Sequence, residues 1–261
     1  IPKNTIYKWT EEKGTEVYLT PSGYTDTVTR GGETGSNGLI LNKENKLVLC
    51  QHGNRQLAWM DADISAPKPV FTTIAGNYQG KKFNSPNDVA YRSNGDLYFT
   101  DPPYGLEKNM EDPLKEIPFQ GVFCVKPSGQ IKLLTDSITR PNGVAFTNDF
   151  NSVIIANSDP EKPYWYIYDI AANDSLTNGR IFYNAKPEVD KKETGLPDGL
   201  KLDKNGNVFA TGPGGLWIFD KNGKVLGKIK ISVSVANCAF SSDGKTLFLT
   251  ADMYLLRVKL K

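Results

Sequence analysis

"FNSPNDVAYRSNGDLYFTDPPYG", residues 83–105, carries two polar doublets in two different settings. Asn94-Gly95 lies between the apolar runs Val89-Ala90-Tyr91 and Leu97-Tyr98-Phe99, where a tight hairpin turn belongs. Pro86-Asn87-Asp88 comes before the first run, where a strand needs no special residue. That second arrangement recurs in "SNGLILNKENKLVLC", "PNGVAFTNDFNSVIIA", "PDGLKLDKNGNVFAT" and "ANCAFSSDGKTLFLT". The leading polar residues are Asn37, Asn87, Asn142, Asp198 and Asn237, spaced by 50, 55, 56 and 39 residues. Behind each strand pair comes a further strand or hairpin, and helical periodicity is nowhere sustained.

Four short strands repeated every 40–50 residues or so are the sequence form of a β-propeller blade. Five repeats have their leading pair. "NTIYKWTEEKGTEVYLT", near Ile1, matches only the outer hairpin of a sixth, and the last repeat stops without an outermost strand. The expectation is an all-β, six-bladed β-propeller, one domain over residues 1–261, with one blade incomplete at the N-terminus. Roughly 30–50 residues would then precede Ile1.

Composition excludes several partners. With 39% hydrophobic and 23% charged residues, the 261-residue chain is of ordinary globular type. A formal charge of +2, with both signs interspersed, gives no footprint for nucleic acid. No apolar stretch approaches the roughly 20 residues of a membrane helix. No signal peptide is visible, but with a start expected upstream of Ile1 the compartment stays open, periplasmic or secreted against cytoplasmic. Cys50, Cys124 and Cys238 sit in apolar runs without metal spacing and read as buried free thiols.

In a propeller the first strand of each blade lines the central channel. Asn87, Asn142 and Asp198, each preceded by proline (Pro86, Pro141, Pro197), are therefore expected to face one another at its mouth. Two amide carbonyls and a carboxylate form an oxygen-only set that suits a hard cation, Ca²⁺ first, with Zn²⁺, Mg²⁺ or Mn²⁺ as alternatives. Asn37 and Asn237, without the proline, read more simply as turn formers.

"SPNDV…GDLYFTDPPYGL", "RPNGVAF" and "GLPDGLKLDKNGNVF" together resemble the gluconolactonase, regucalcin (senescence marker protein) and diisopropylfluorophosphatase superfamily, nearest its bacterial gluconolactonase-type members. The resemblance spans essentially the whole chain. It implies a catalytic divalent metal held by a Glu, two Asn and an Asp. By motif the amides fall on Asn87 and Asn142 and the acid on Asp198, while the Glu has no counterpart here and is expected upstream of Ile1.

Four further residues are candidates for substrate contact. His52, the single histidine, follows the second strand of its repeat, and Asp101 and Tyr104 in "FTDPPYGL" follow the corresponding strand of the next. Asn84 resembles a substrate-facing family position. No G-x-S-x-G elbow is present. The expected activity is metal-dependent hydrolysis of small-molecule sugar lactones, with Asp198 as the catalytic acid–base group. Phosphotriester hydrolysis at the same site and a non-catalytic binding platform are the alternatives.

Overall fold

The computed structural model describes residues 3–260. Nearly all of its regular structure is strand. One five-residue helix, α1 (Lys186–Asp190), and a 3₁₀ turn (Asn109–Glu111) are its helices among the described residues. The chain divides into two compact units, Ile1–Ser137 and Ile138–Lys261.

The first unit opens with β1 (Ile6–Thr10) and β2 (Gly14–Leu19), which pair only with each other. Two four-stranded sheets follow. One contains β3 (Ser36–Leu41), β4 (Leu47–Gln51), β5 (Gln56–Met60) and β6 (Phe71–Ala75) in sequential order. A small hairpin of β7 (Asn77–Tyr78) and β8 (Lys81–Lys82) leads to the other, made of β9 (Val89–Tyr91), β10 (Leu97–Asp101), β11 (Gly121–Val125) and β12 (Ile131–Thr135).

The second unit has three further sheets. β13 (Pro141–Phe146), β14 (Ser152–Asn157), β15 (Tyr164–Ile170) and β16 (Leu176–Asn184) form the first. β17 (Leu200–Leu202), β18 (Val208–Gly212), β19 (Gly215–Phe219) and β20 (Val225–Lys230) form the second. The third has three strands, β21 (Val235–Phe240), β22 (Thr246–Ala251) and β23 (Tyr254–Lys259).

Sequential antiparallel four-stranded sheets are blades, and the fold is an all-β propeller. Five blades are present among the described residues, not the six expected. The correction lies in β1 and β2, which form a two-stranded ribbon and join no other strand among the described residues. The inner pair expected to complete that blade lies outside the described residues.

Aromatic side chains fill the blades. Phe83, Phe99 and Phe123 interlock with ring centroids 5.0, 5.1 and 5.3 Å apart. In the second unit Trp165 is fully buried against Phe219 at 5.4 Å, and Trp217 stacks on Phe219 at 5.9 Å. Truncating any of these to alanine costs about 3–5 kcal/mol by transfer plus cavity. Cys50, Cys124 and Cys238 are buried free thiols, as expected.

Candidate functional site

In four of the five blades the polar residue at the mouth of the inner strand sits in a β-bulge; in β21 the register skips Ala236 and Asn237 pairs with Thr250. In the first blade Ser36 pairs with Gln51 and Leu39 with Leu49, so Asn37-Gly38 stand against Cys50 alone. In β13 the pairs Pro141–Asn157 and Val144–Ile155 leave Asn142-Gly143 against Ala156. Around Asn87 and Asp198 the backbone shows the same two-against-one count. Asn87 N–H donates to Thr100 O and Thr100 N–H to Asp88 O; Asp198 N–H donates to Thr211 O and Thr211 N–H to Gly199 O. A bulge bends its strand and re-aims the extra side chain. The sequence puts a short polar residue where that re-aiming happens.

The glycine after the polar residue is not a turn glycine. Gly38, Gly143 and Gly199 do not have positive φ. A Cβ on Gly143 would meet Asp198 O at 2.2 Å, and one on Gly38 would meet Asn87 O at 2.7 Å. Gly199 N–H donates to Ala236 O at 2.8 Å. Glycine lets one blade's bulge touch the next. Within the first unit this brings the backbones of Asn37 and Asn87 together, and within the second those of Asn142 and Asp198.

The side chains differ in what holds them. Asn142, 5% exposed, donates its amide Nδ2 to Ser158 Oγ at 2.8 Å. Ser158 Oγ in turn donates to Pro197 O at 2.5 Å. A hydroxyl committed to a carbonyl must accept at its own oxygen, so the NH₂ end of Asn142 faces Ser158 and the carbonyl end is turned away. Asn87 is 3% exposed, yet its amide has no hydrogen-bond partner among the described residues. Asp198 is half-buried. Amide carbonyl and carboxylate oxygens are the donor types that a hard divalent cation prefers. Among the described residues no group of three or more His, Cys, Asp or Glu could hold a metal ion. Asn237 differs, since its Oδ1 accepts from Cys238 N–H at 2.8 Å and Lys201 Nζ at 3.4 Å.

Asn84 and Asp101 belong to one buried network, in which Asn84 Oδ1 has no hydrogen-bond partner among the described residues. Both are fully buried. Asp101 accepts the N–H of Asn84 on one oxygen and that of Ser85 on the other, both at 2.8 Å. Asn84 Nδ2 donates to Asp101 O and to Phe119 O. Ser85 Oγ donates to Pro102 O at 2.5 Å and accepts from Gly105 N–H at 2.9 Å. "NSPND" and "TDPPYG" are thus one knot, tied immediately before Asn87. Burial pushes the Asp101 carboxyl up to about 7, against the two backbone donors and the cations Arg55 and Lys115. Tyr104 is half-buried beside this knot in sequence.

His52 is also fully buried. Its Nδ1 lies 3.1 Å from Glu33 Oε2 and its Nε2 3.4 Å from Asn37 Nδ2. Burial holds its pKa below the ordinary histidine range, despite the hydrogen bond to Glu33. Sequence reasoning missed Glu33, Ser158, Arg30 and Arg55. Arg30 Nη2 donates to Gly105 O at 2.7 Å, and Arg55 Nε and Nη1 donate to Phe83 O and Leu114 O at 2.6 and 2.8 Å. Both fasten the long β10–β11 connection. Ser158 had a signal, since it follows its second strand just as His52 does; the arginines had none.

Sequential four-stranded blades whose inner strands open on bulges carrying Asn or Asp make this an all-β propeller with polar strand mouths. Residues 1–252 match the family described as the SMP-30/Gluconolactonase/LRE-like region, and the chain belongs to that family. It is 37% identical to a gluconolactonase of Zymomonas mobilis, covering 100% of this chain and 73% of that protein. It is 24% identical to a diisopropyl-fluorophosphatase of Loligo vulgaris, over 66% of this chain and 55% of that one. Among solved structures it resembles a gluconolactonase of Xanthomonas campestris, with a TM-score of 0.79, 25% identity, and coverage of 98% of this chain and 79% of that chain.

Proposed function

We propose that this protein is a hydrolase of sugar lactones in which Asn87, Asn142 and Asp198 hold one divalent cation, Ca²⁺ by ligand chemistry. The observation that carries the reading is the bulged polar residue at each of these strand mouths, in a chain of this family. When bound, such a cation supplies a Lewis acid for the lactone carbonyl and lowers the pKa of water. Asn87 and Asn142 present carbonyl oxygens. Ser158, through its hydrogen bond, keeps the Asn142 amide from turning its NH₂ toward the cation. Asp198 is the one ionisable member of the set and accepts the proton of the attacking water. A lactone is an activated ester, so water can add to its carbonyl and the ring oxygen can leave without a nucleophilic serine or cysteine.

The likeness to the diisopropyl-fluorophosphatase of Loligo vulgaris supports a second reading, hydrolysis of phosphotriesters on the same residues. The assay is hydrolysis of glucono-δ-lactone and of a phosphotriester by the full-length protein, with and without a chelator. Lactone turnover that chelation abolishes and Ca²⁺ restores is expected. Lactone inertness with rapid phosphotriester turnover would move the assignment to the second reading, and inertness to both would remove it.

A further inference from the structure

The residue that follows the second strand of a blade, next to the bulge, varies among the blades, with proline in two of them. It is His52 after β4, Pro102 after β10, Ser158 after β14, Pro213 after β18 and Asp252 after β22. His52 and Ser158 are equivalent in detail. His52 N–H donates to Gly35 O and Ser158 N–H to Arg140 O, each acceptor being the residue just before the paired strand. Each side chain then meets the amide nitrogen of the bulge asparagine, Asn37 in one blade and Asn142 in the other.

The polarity of the two relays is also the same. An ionised carboxylate only accepts, so Glu33 Oε2 fixes the His52 proton on Nδ1 and leaves Nε2 a bare acceptor. Nε2 can receive only the NH₂ end of Asn37. The carbonyl end is then turned away from the histidine, as Ser158 and Pro197 O turn that of Asn142. His52 is fully buried and cannot itself reach a ligand, whereas Asn37 is half-buried and can.

We infer that Asn37 is a further substrate-binding residue, its carbonyl oxygen accepting a hydroxyl of the polyhydroxylated lactone, and that His52 and Glu33 are positioning residues that act through it. The inference rests on the lactonase reading. Asn37 lacks the preceding proline of the three cation residues and is more exposed than Asn87 or Asn142, as suits a contact to a ligand that comes and goes. The neutral amide oxygen pairs with a neutral hydroxyl, so the contact contributes to binding more than to the bond-breaking step.

The test is steady-state hydrolysis of glucono-δ-lactone by the full-length protein, with Asn37→Ala, His52→Leu and the double variant. Loss of one neutral hydrogen bond should raise KM roughly three- to tenfold with kcat little changed. The double variant should be no worse than Asn37→Ala, and His52→Gln, whose amide oxygen still accepts, should recover most of the loss. Additive single effects would overturn the inference, since His52 would then act elsewhere. An unchanged KM in Asn37→Ala, alongside lost turnover in Asp198→Asn, would overturn it and leave the lactonase reading standing. The chain has a single histidine, so its ¹⁵N NMR signals give a readout that needs no turnover. We expect the Nδ1–H tautomer, with the Nε2 signal shifting in Asn37→Ala; the opposite tautomer would overturn the inference whatever the protein hydrolyses.

Discussion

Asn94-Gly95 and Asn142-Gly143 are the same dipeptide put to opposite uses. Gly95 has φ +92° in a hairpin turn, and its partner Asn94 spends both ends of its amide locally, on Asp96 Oδ2 and Asp96 N–H. Gly143 needs no unusual φ; it is glycine because the neighbouring strand mouth leaves no room for a Cβ. Asn142 gives its NH₂ end to Ser158. Conformation decides the first pair and crowding the second. Composition cannot separate them, but position relative to the strand can.

If the strand-mouth residues carry the chemistry, the largest effect belongs to Asp198. Asp198→Asn keeps the shape but removes the charge and the proton acceptor. It should lower kcat on glucono-δ-lactone about 10²- to 10⁴-fold at saturating Ca²⁺. Asn142→Asp retains an oxygen and should cost less, while Asn94→Ala should leave the rate unchanged. Equal losses at Asn94 and Asp198 would dissolve the distinction.

Next comes the relay. Ser158→Ala frees the Asn142 amide to rotate and should weaken Ca²⁺ binding about 10- to 100-fold, the usual cost of an outer partner. Calorimetry on the variant measures this, with circular dichroism to check that the blade persists. Undiminished affinity would mean that Asn142 needs no orienting.

The glycines give a stability contrast. Gly143→Ala forces a methyl group against Asp198 O and should cost about 1–3 kcal/mol by urea unfolding, along with Ca²⁺ affinity. Gly95→Ala should cost about 1–2 kcal/mol from its left-handed conformation and leave affinity intact.

The smallest effect is a pH dependence from the knot that precedes Asn87. Asp101 has its carboxyl pushed up to about 7, above an ordinary carboxylate. The folded state therefore holds this proton more tightly than the unfolded chain. Its stabilisation is full below about pH 4 and is lost as pH rises through about 7. Between pH 6 and 8 the linkage amounts to about 1.4 kcal/mol. Urea midpoints of the wild type should fall over that interval by more than those of Asp101→Asn; parallel curves would mean that Asp101 is already ionised at pH 6.

Much of this was legible in the sequence, because blade repeats leave period-2 strands and turn residues at regular spacing. The strand mouths were legible because proline or serine precedes a short polar residue ahead of an apolar run. The blade count was not, because the hairpin Ile6–Leu19 has the pattern of a blade's outer half yet pairs only with itself. The network around Asp101 was not legible, because its carboxylate accepts from backbone N–H groups 16 and 17 residues earlier, a relation that no motif carries. Glu33 could not have been found, since its relation to His52 crosses a 19-residue gap without motif.

The central claim is that the bulged strand-mouth asparagines, and not asparagines in hairpin turns, are cation ligands. Calorimetric titration of Ca²⁺ into the full-length protein, beside Asn87→Ala, Asn142→Ala and Asn94→Ala, tests it directly. We expect one Ca²⁺ per chain, an affinity at least about tenfold weaker in each of the first two variants, and wild-type binding in the third. Ca²⁺ binding indifferent to Asn87 and Asn142, or none at all, would contradict the account.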